Sequence, residues 1–160
     1  MLKKPVSFTH KPRYISPLLS VDKTKFKLSA SQRLKNPSQF QSVYQSKQWG
    51  GSKYFTFNVL ANDQAILENS QRPAVLGVTV SKKVSKRAVD RNRIKRQIRE
   101  FFRHQQNDLH NADIIITAKP HCIKANDDDR QASLIELWTK VLKWQRWHQR
   151  QLAKKQGITN

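Results

Sequence analysis

The stretch AVLGVTVSKKVSKRAVDRNRIKRQIREFFRH, residues 74–104, decides the fold. Its opening, Ala74 to Ser81, is apolar and β-branched and predicts a strand, with Gly77 marking a bulge or a close approach. From about Ala88 to His104 the period changes to that of a helix. Ile94, Ile98, Phe101 and Phe102 fall at i, i+4, i+7 and i+8, an apolar stripe that docks on a core. Arg91, Lys95, Arg99 and Arg103 recur every four residues, and Arg96 stands three before Arg99, so cations crowd a separate face. Like charges so placed repel by roughly a few tenths of a kcal/mol per pair. A polyanion relieves that repulsion, and Arg forks match phosphate oxygens bidentately. Merely solvated helix faces mix their signs, whereas only Asp90 and Glu100 interrupt this one. The helix therefore reads as a nucleic-acid contact.

Composition points the same way. The chain of 160 residues carries 31 Lys and Arg against 11 Asp and Glu, a formal charge of +20 with a pI near 10.6. Such an imbalance draws a protein toward anionic partners. The membrane alternative lacks support, because the apolar run Ile114-Ile115-Ile116 is far too short to span a bilayer. The start, with Lys3 and Lys4, lacks the apolar core of a signal peptide. A cytoplasmic protein with no membrane partner is expected. Cys122 is the single cysteine, which excludes an intramolecular disulfide and a thiolate zinc cluster. His10, His104, His110, His121 and His148 show no metal-ligand spacing and read as surface residues.

Outward from the decisive stretch, residues 1–28 read as a basic, disordered arm, with Pro5, Pro12 and Pro17 and no sustained periodicity. A single domain is expected over 29–150, followed by a frayed basic tail over 151–160. Asn36 and Pro37 form a helix start, and Phe40, Val43 and Tyr44 continue it to about Lys47. Gly50-Gly51 reads as a chain break, Lys53 to Ala61 as a strand, and Asn62 to Pro73 as a loop. Asp113 to Ala118 predicts a strand buried on both sides. A last helix is expected from about Arg130 to Arg150, with Leu134, Leu137, Trp138, Val141 and Leu142 inward and Trp144 and Trp147 partly exposed. The implied fold class is α+β, a two-layer α/β sandwich of a small mixed sheet and about three helices gathered over one face.

The chain here resembles the protein subunit of bacterial ribonuclease P. The resemblance is carried by Gly77-Val78-Thr79-Val80-Ser81-Lys82-Lys83 and by Arg91-Asn92-Arg93-Ile94-Lys95-Arg96-Gln97-Ile98-Arg99-Glu100. Arg33-Leu34 with Phe40 and Val43-Tyr44 is similar to the family's first helix, and Asp113 to Lys119 to its last central strand. The match spans about residues 31 to 145. It implies a fold similar to a domain of a small ribosomal subunit protein, with a left-handed strand–helix–strand crossover. It also implies a catalytic RNA subunit that matures the 5′ end of precursor tRNA, assisted by Mg2+ held mainly by that RNA. The chain is longer at its start than the family requires, and Asn62 to Arg72 carries no recognisable motif.

Roles follow from residues and resemblance together. Arg87, Arg91, Asn92, Arg93, Lys95, Arg96 and Arg99 are expected to bind the RNA subunit, Asn92 largely on the strength of the resemblance. Phe40, Tyr44 and Phe55, with Lys82 and Lys83, are candidates for the 5′ leader, since bases stack on aromatic faces with little sequence preference. Spacing leaves burial in the core open for all three aromatics. Asp127-Asp128-Asp129 invites a two-metal reading, but an acidic first turn favoured by the helix dipole explains it more simply. No nucleophile–base–orienter set is present, so no catalytic residue is expected; no metal ligand and no required protein partner are expected either. A ribosomal or RNA-chaperone protein shares this charge and fold; a metal nuclease acting alone has the weakest basis.

Overall fold

The computed structural model describes residues 28–157. Four strands, β1 (Trp49–Gly51), β2 (Phe55–Ala61), β3 (Val75–Thr79) and β4 (Ala112–Ala118), form one mixed sheet in the order β1-β2-β4-β3. β4 pairs antiparallel with β2, Ile116 opposite Phe57, and parallel with β3, Ile115 opposite Gly77. A strand hemmed in on both edges and both faces needs an apolar run in place of alternation. Ile114, Ile115 and Ile116 are accordingly all fully buried.

Among the described residues four α-helices accompany the sheet: α1 (Pro37–Gln45), α2 (Asp63–Leu67), α3 (Ala88–Gln105) and α4 (Asp127–Lys155). The decisive stretch is therefore strand β3 followed by helix α3, and α3 is the crossover that returns the chain to β4. Its stripe of Ile94, Ile98, Phe101 and Phe102 meets Leu134, Leu137, Trp138 and Val141 of α4 over Phe57, Val59, Ile114 and Ile116. Trp138 stands edge-on to both Phe101 and Phe102, with ring centroids 6.0 and 5.8 Å away. Each such fully buried side chain contributes roughly 1.5–3 kcal/mol.

The sheet's second face has a smaller core, where Leu34, Val43 and Ile115 pack with Phe40, Leu60 and Val75. The expectation of helices over one face holds for α3 and α4, while α1 lies on the opposite face. α1 is short, so Thr56, Asn58, Thr79 and Thr117, which share that face with Leu60, Val75 and Ile115, stay partly exposed. Gly77 proves to be a close approach: a β-carbon there would lie 2.8 Å from the Phe40 ring and 2.9 Å from Leu34 Cδ1.

Several boundaries differ from the sequence reading. Gly50-Gly51 does not break the chain but belongs to β1, where the missing side chain of Gly50 makes room for the Phe57 ring. The supposed loop after Asn62 contains α2, capped by Asn62 Oδ1 accepting from the Ala65 amide at 3.1 Å. α4 starts earlier than expected, at the Asn126 cap, whose Oδ1 accepts from the Asp129 amide at 2.7 Å. It also continues through the supposed frayed tail to Lys155, held by the buried Leu152. Leu28, assigned to the arm, joins the main core. The rest of that arm, residues 1–27, lies outside the described residues.

Candidate nucleic-acid interface

The turn from Ser81 and the first half of α3 present the cationic surface. Asp90 in the first helical turn anchors it: Asp90 accepts from Ser85 Oγ at 2.9 Å and lies 3.8 Å from the Arg87 guanidinium. Arg91 folds back, its Nη1 donating to the carbonyls of Ser85 and Lys86 at 2.9 Å each. Arg93 Nη2 reaches Asp127 Oδ2 at 3.0 Å. The two arginines of the Arg-Asn-Arg motif are thus already bonded within the protein, Arg91 to backbone and Arg93 to a carboxylate. Arg96, Arg99 and Asn92 point outward, exposed, and their side chains form no ion pair or hydrogen bond with the described residues. Lys95 is half-buried on the same helix, and Lys82 and Lys83 stand exposed on the turn between β3 and α3.

The aromatic candidates separate cleanly. Phe55 is fully buried in the main core, on the side of the sheet under α3 and α4, so it offers no face to a base. Its place at the start of β2 gives it the inward phase shared by Phe57 and Val59. Phe40 and Tyr44 instead line a groove of about 510 Å³ along α1, together with Pro37, Gln41, Gln45 and Lys47. Tyr44 is 43% exposed, while Phe40 rests one side of its ring on Gly77 and turns the rest toward the groove. α1 is held in place by Asn36, whose amide donates to Gln39 Oε1 at 3.0 Å, and by Ser46 Oγ, which donates to the Val59 carbonyl at 2.6 Å. Sequence reasoning passed over Lys47 on the groove wall and Trp49, which is 70% exposed on β1. Trp49, Gly50 and Gly51 show no alternation, and three residues are too few to announce a strand.

The acidic run is structural. Asp127, Asp128 and Asp129 form the first turn of α4, and Asp127 is shared between two guanidinium groups, Arg93 and Arg130. The Arg93 hydrogen bond, with Arg130 adding its charge, holds the Asp127 carboxyl below the usual carboxylate range. Arg130 is buried and donates to the Ala125 carbonyl, to the Cys122 carbonyl at 3.3 Å and, through Nε, to Gln97 Oε1 at 2.8 Å. A donor set already taken by arginines does not suit a magnesium ion. Among the described residues, no group of three or more His, Cys, Asp or Glu is placed to hold a metal. Burial pushes the Cys122 thiol up to about 11, with Arg130 opposing the shift.

Three histidines read as surface residues are in fact engaged, among them His121, whose Nε2 lies 2.8 Å from the Lys53 carbonyl oxygen. His104 pairs with Glu100 at 3.3 Å, and His148 stacks on Trp144 and meets Asp63 Oδ1 at 2.7 Å. No helix among the described residues is long and apolar enough to cross a membrane.

A mixed sheet with a cationic crossover helix on one face and an aromatic groove beside a short helix on the other defines a class of small, basic α+β proteins. The family model for ribonuclease P matches residues 28–142, and the chain belongs to that family. It is 41% identical over 111 residues to the ribonuclease P protein component of Idiomarina loihiensis, covering 69% of this chain and 84% of that protein. The counterpart from Pseudoalteromonas atlantica is 38% identical over 111 residues, covering 69% of this chain and 87% of that protein. The structure of the Staphylococcus aureus RNase P protein aligns with a TM-score of 0.60 at 28% identity, over 69% of this chain and 94% of that one. The Thermotoga maritima RNase P protein shares the fold at a TM-score of 0.55 and 21% identity, over 66% of this chain and 93% of that one.

Proposed function

We propose that this chain is the protein subunit of a ribonuclease P ribonucleoprotein, binding the catalytic RNA through α3 and the 5′ leader of precursor tRNA in the groove along α1. The observation that carries this reading is the separation of two surfaces. Unpaired cations stand on α3, and an aromatic groove lies on the other face of the same sheet. Arg96 and Arg99 meet phosphates directly, with Lys82, Lys83, Lys95 and Arg87 adding positive potential and Asn92 a hydrogen bond. Arg93 exchanges its carboxylate for a phosphate when RNA docks, and Arg91 holds the Ser85–Lys86 backbone in shape for that contact. Tyr44 and the open side of Phe40 stack leader bases without selecting their identity.

Chemistry in this reading belongs to the RNA, which also holds the Mg2+; the chain contributes position and charge. Two polyanions repel, and a shared cationic bridge lowers that cost. Holding the leader at a fixed place keeps the scissile phosphate near the reacting groups of the RNA, a proximity effect. The work is expected in the cytoplasm. Reconstitution tests the reading: purified chain with its cognate RNA subunit cleaves precursor tRNA at low magnesium faster than the RNA alone. Absence of any enhancement, or recovery of ribosomal RNA in place of one catalytic RNA on co-purification, would refute it.

A further inference from the structure

Past Leu142, where the family match stops, α4 continues as a regular helix to Lys155. Along this extension Lys143, Arg146, Arg150, Lys154 and Lys155 are accompanied by no Asp or Glu, whereas Lys140, just before it, pairs with Glu136 at 3.4 Å. Lys140, Lys143, Trp147, Arg150 and Lys154 advance by alternate steps of three and four, which sets them on one helical face. Lys143, Arg150 and Lys154 are exposed, and Trp147 is 46% exposed among them. Trp147 meets His148, with ring centroids 6.4 Å apart, stands outside the buried core cluster and turns nearly half its surface to water between cations.

The neighbours of this face fix where it leads. Lys140 Nζ donates to the Gly51 carbonyl, and one turn later Trp144 Nε1 donates to Gln48 Oε1 at 2.6 Å. α4 therefore runs antiparallel along the β1 edge, and the next turn brings Trp147 level with the chain just before Gln48. That chain includes Lys47, which with Tyr44 lines the α1 groove. Trp49, 70% exposed, stands at the same edge. His148, stacked on Trp144 and bonded to Asp63, fixes the rotation of the helix here.

We propose that Lys143, Trp147, Arg150 and Lys154 extend the leader groove, taking the upstream nucleotides of a long precursor-tRNA leader after it passes Tyr44 and Lys47. The inference rests on the leader reading above. A single strand exposes base faces that stack on an indole while its phosphates meet flanking cations; a duplex hides those faces. The catalytic RNA is served elsewhere. Arg93 meets α4 at Asp127, its first residue, about 30 Å along the helix from Trp147.

The test uses holoenzyme reconstituted from the RNA subunit and the full chain. It is titrated with two precursor tRNAs, one with a leader long enough only for the α1 groove and one with further unpaired nucleotides upstream. The variant Lys143→Ala/Trp147→Ala/Arg150→Ala loses about tenfold in affinity for the long leader and matches the wild type on the short one. Trp147→Phe, which keeps an aromatic face, retains most long-leader affinity, whereas Arg150→Glu, a single surface charge reversal, loses it. Equal losses on both leaders, loss of RNA-subunit affinity without leader dependence, or no change each overturn the inference. A wild type indifferent both to leader length and to Tyr44→Ala overturns the leader reading itself. Dependence on Tyr44 with a silent stripe overturns only the extension.

Discussion

The Phe40 ring lies directly on Gly77, so close that a β-carbon would sit 2.8 Å from ring Cε2. This contact joins α1 to β3 and sets the depth of the groove that Phe40 and Tyr44 line.

Gly77→Ala forces the ring and Leu34 aside, because both lie within 3.0 Å of the new methyl. Overpacking of this kind costs about 1–3 kcal/mol. A lower midpoint in urea unfolding is expected, together with weaker binding of leader-bearing substrate as α1 shifts. Unchanged stability would show that α1 slides freely over the sheet.

Tyr44→Ala removes an exposed ring without opening the core, since Val43 and not Tyr44 is buried in that helix. Affinity of the holoenzyme for precursor tRNA falls by about 1–3 kcal/mol, the worth of one stacked base. Affinity for tRNA without a leader stays at the wild-type level. Equilibrium binding of the two substrates checks the difference.

Arg96→Ala and Arg99→Ala each remove one cation that has no carboxylate to neutralise it among the described residues. The slope of log K for RNA-subunit binding against log salt flattens by about 0.7–0.9 per substitution. Folding stability is unchanged or slightly improved, as neighbouring like charges are relieved. A salt series read by filter binding or fluorescence measures both slopes.

Asp127→Asn releases Arg93 for phosphate, so RNA-subunit affinity rises by the worth of one exposed ion pair, under about 1 kcal/mol. Stability responds oppositely and depends on pH. The folded carboxyl titrates below the ordinary aspartate value of 3.8, so its contribution is complete above that value and disappears as pH falls through the lower folded value. The variant is therefore less stable than the wild type at neutral pH, and the two converge in acid. Urea unfolding at neutral pH and below pH 3.8 tests the convergence.

Cys122 is fully buried, and burial raises its thiol to about 11. With almost no thiolate at neutral pH, iodoacetamide leaves the native protein unmodified. Carboxamidomethylation appears when denaturant unfolds the chain, and its onset tracks the loss of helical circular dichroism.

Much of this architecture was readable because its signals are long. The period of Ile94, Ile98, Phe101 and Phe102 and the triple isoleucine of β4 each leave one arrangement open, and both lie where expected. Short elements escaped: β1 has three residues and α2 five, too few for any period to register. Among the candidate contacts, composition identified the cations but not their neighbours. Nothing local announces that Arg93 meets Asp127, which lies 34 positions away in the chain. Phe40 and Phe55 look alike as residues, and only the pairing of β2 with β4 turns Phe55 into the interior.

The strand that joins the sheet is also its last to be synthesised. β4 lies between β2 and β3, pairing Phe55 with Ala118 and Val75 with Asp113. A nascent chain leaving the ribosome therefore carries two half-finished strands until the residues near Ala118 emerge. Such distant pairing slows folding. A ribosome stalled before Ala118 would hold a strongly basic, unassembled polypeptide, and the main core closes only when Leu134, Leu137, Trp138 and Val141 of α4 have emerged as well.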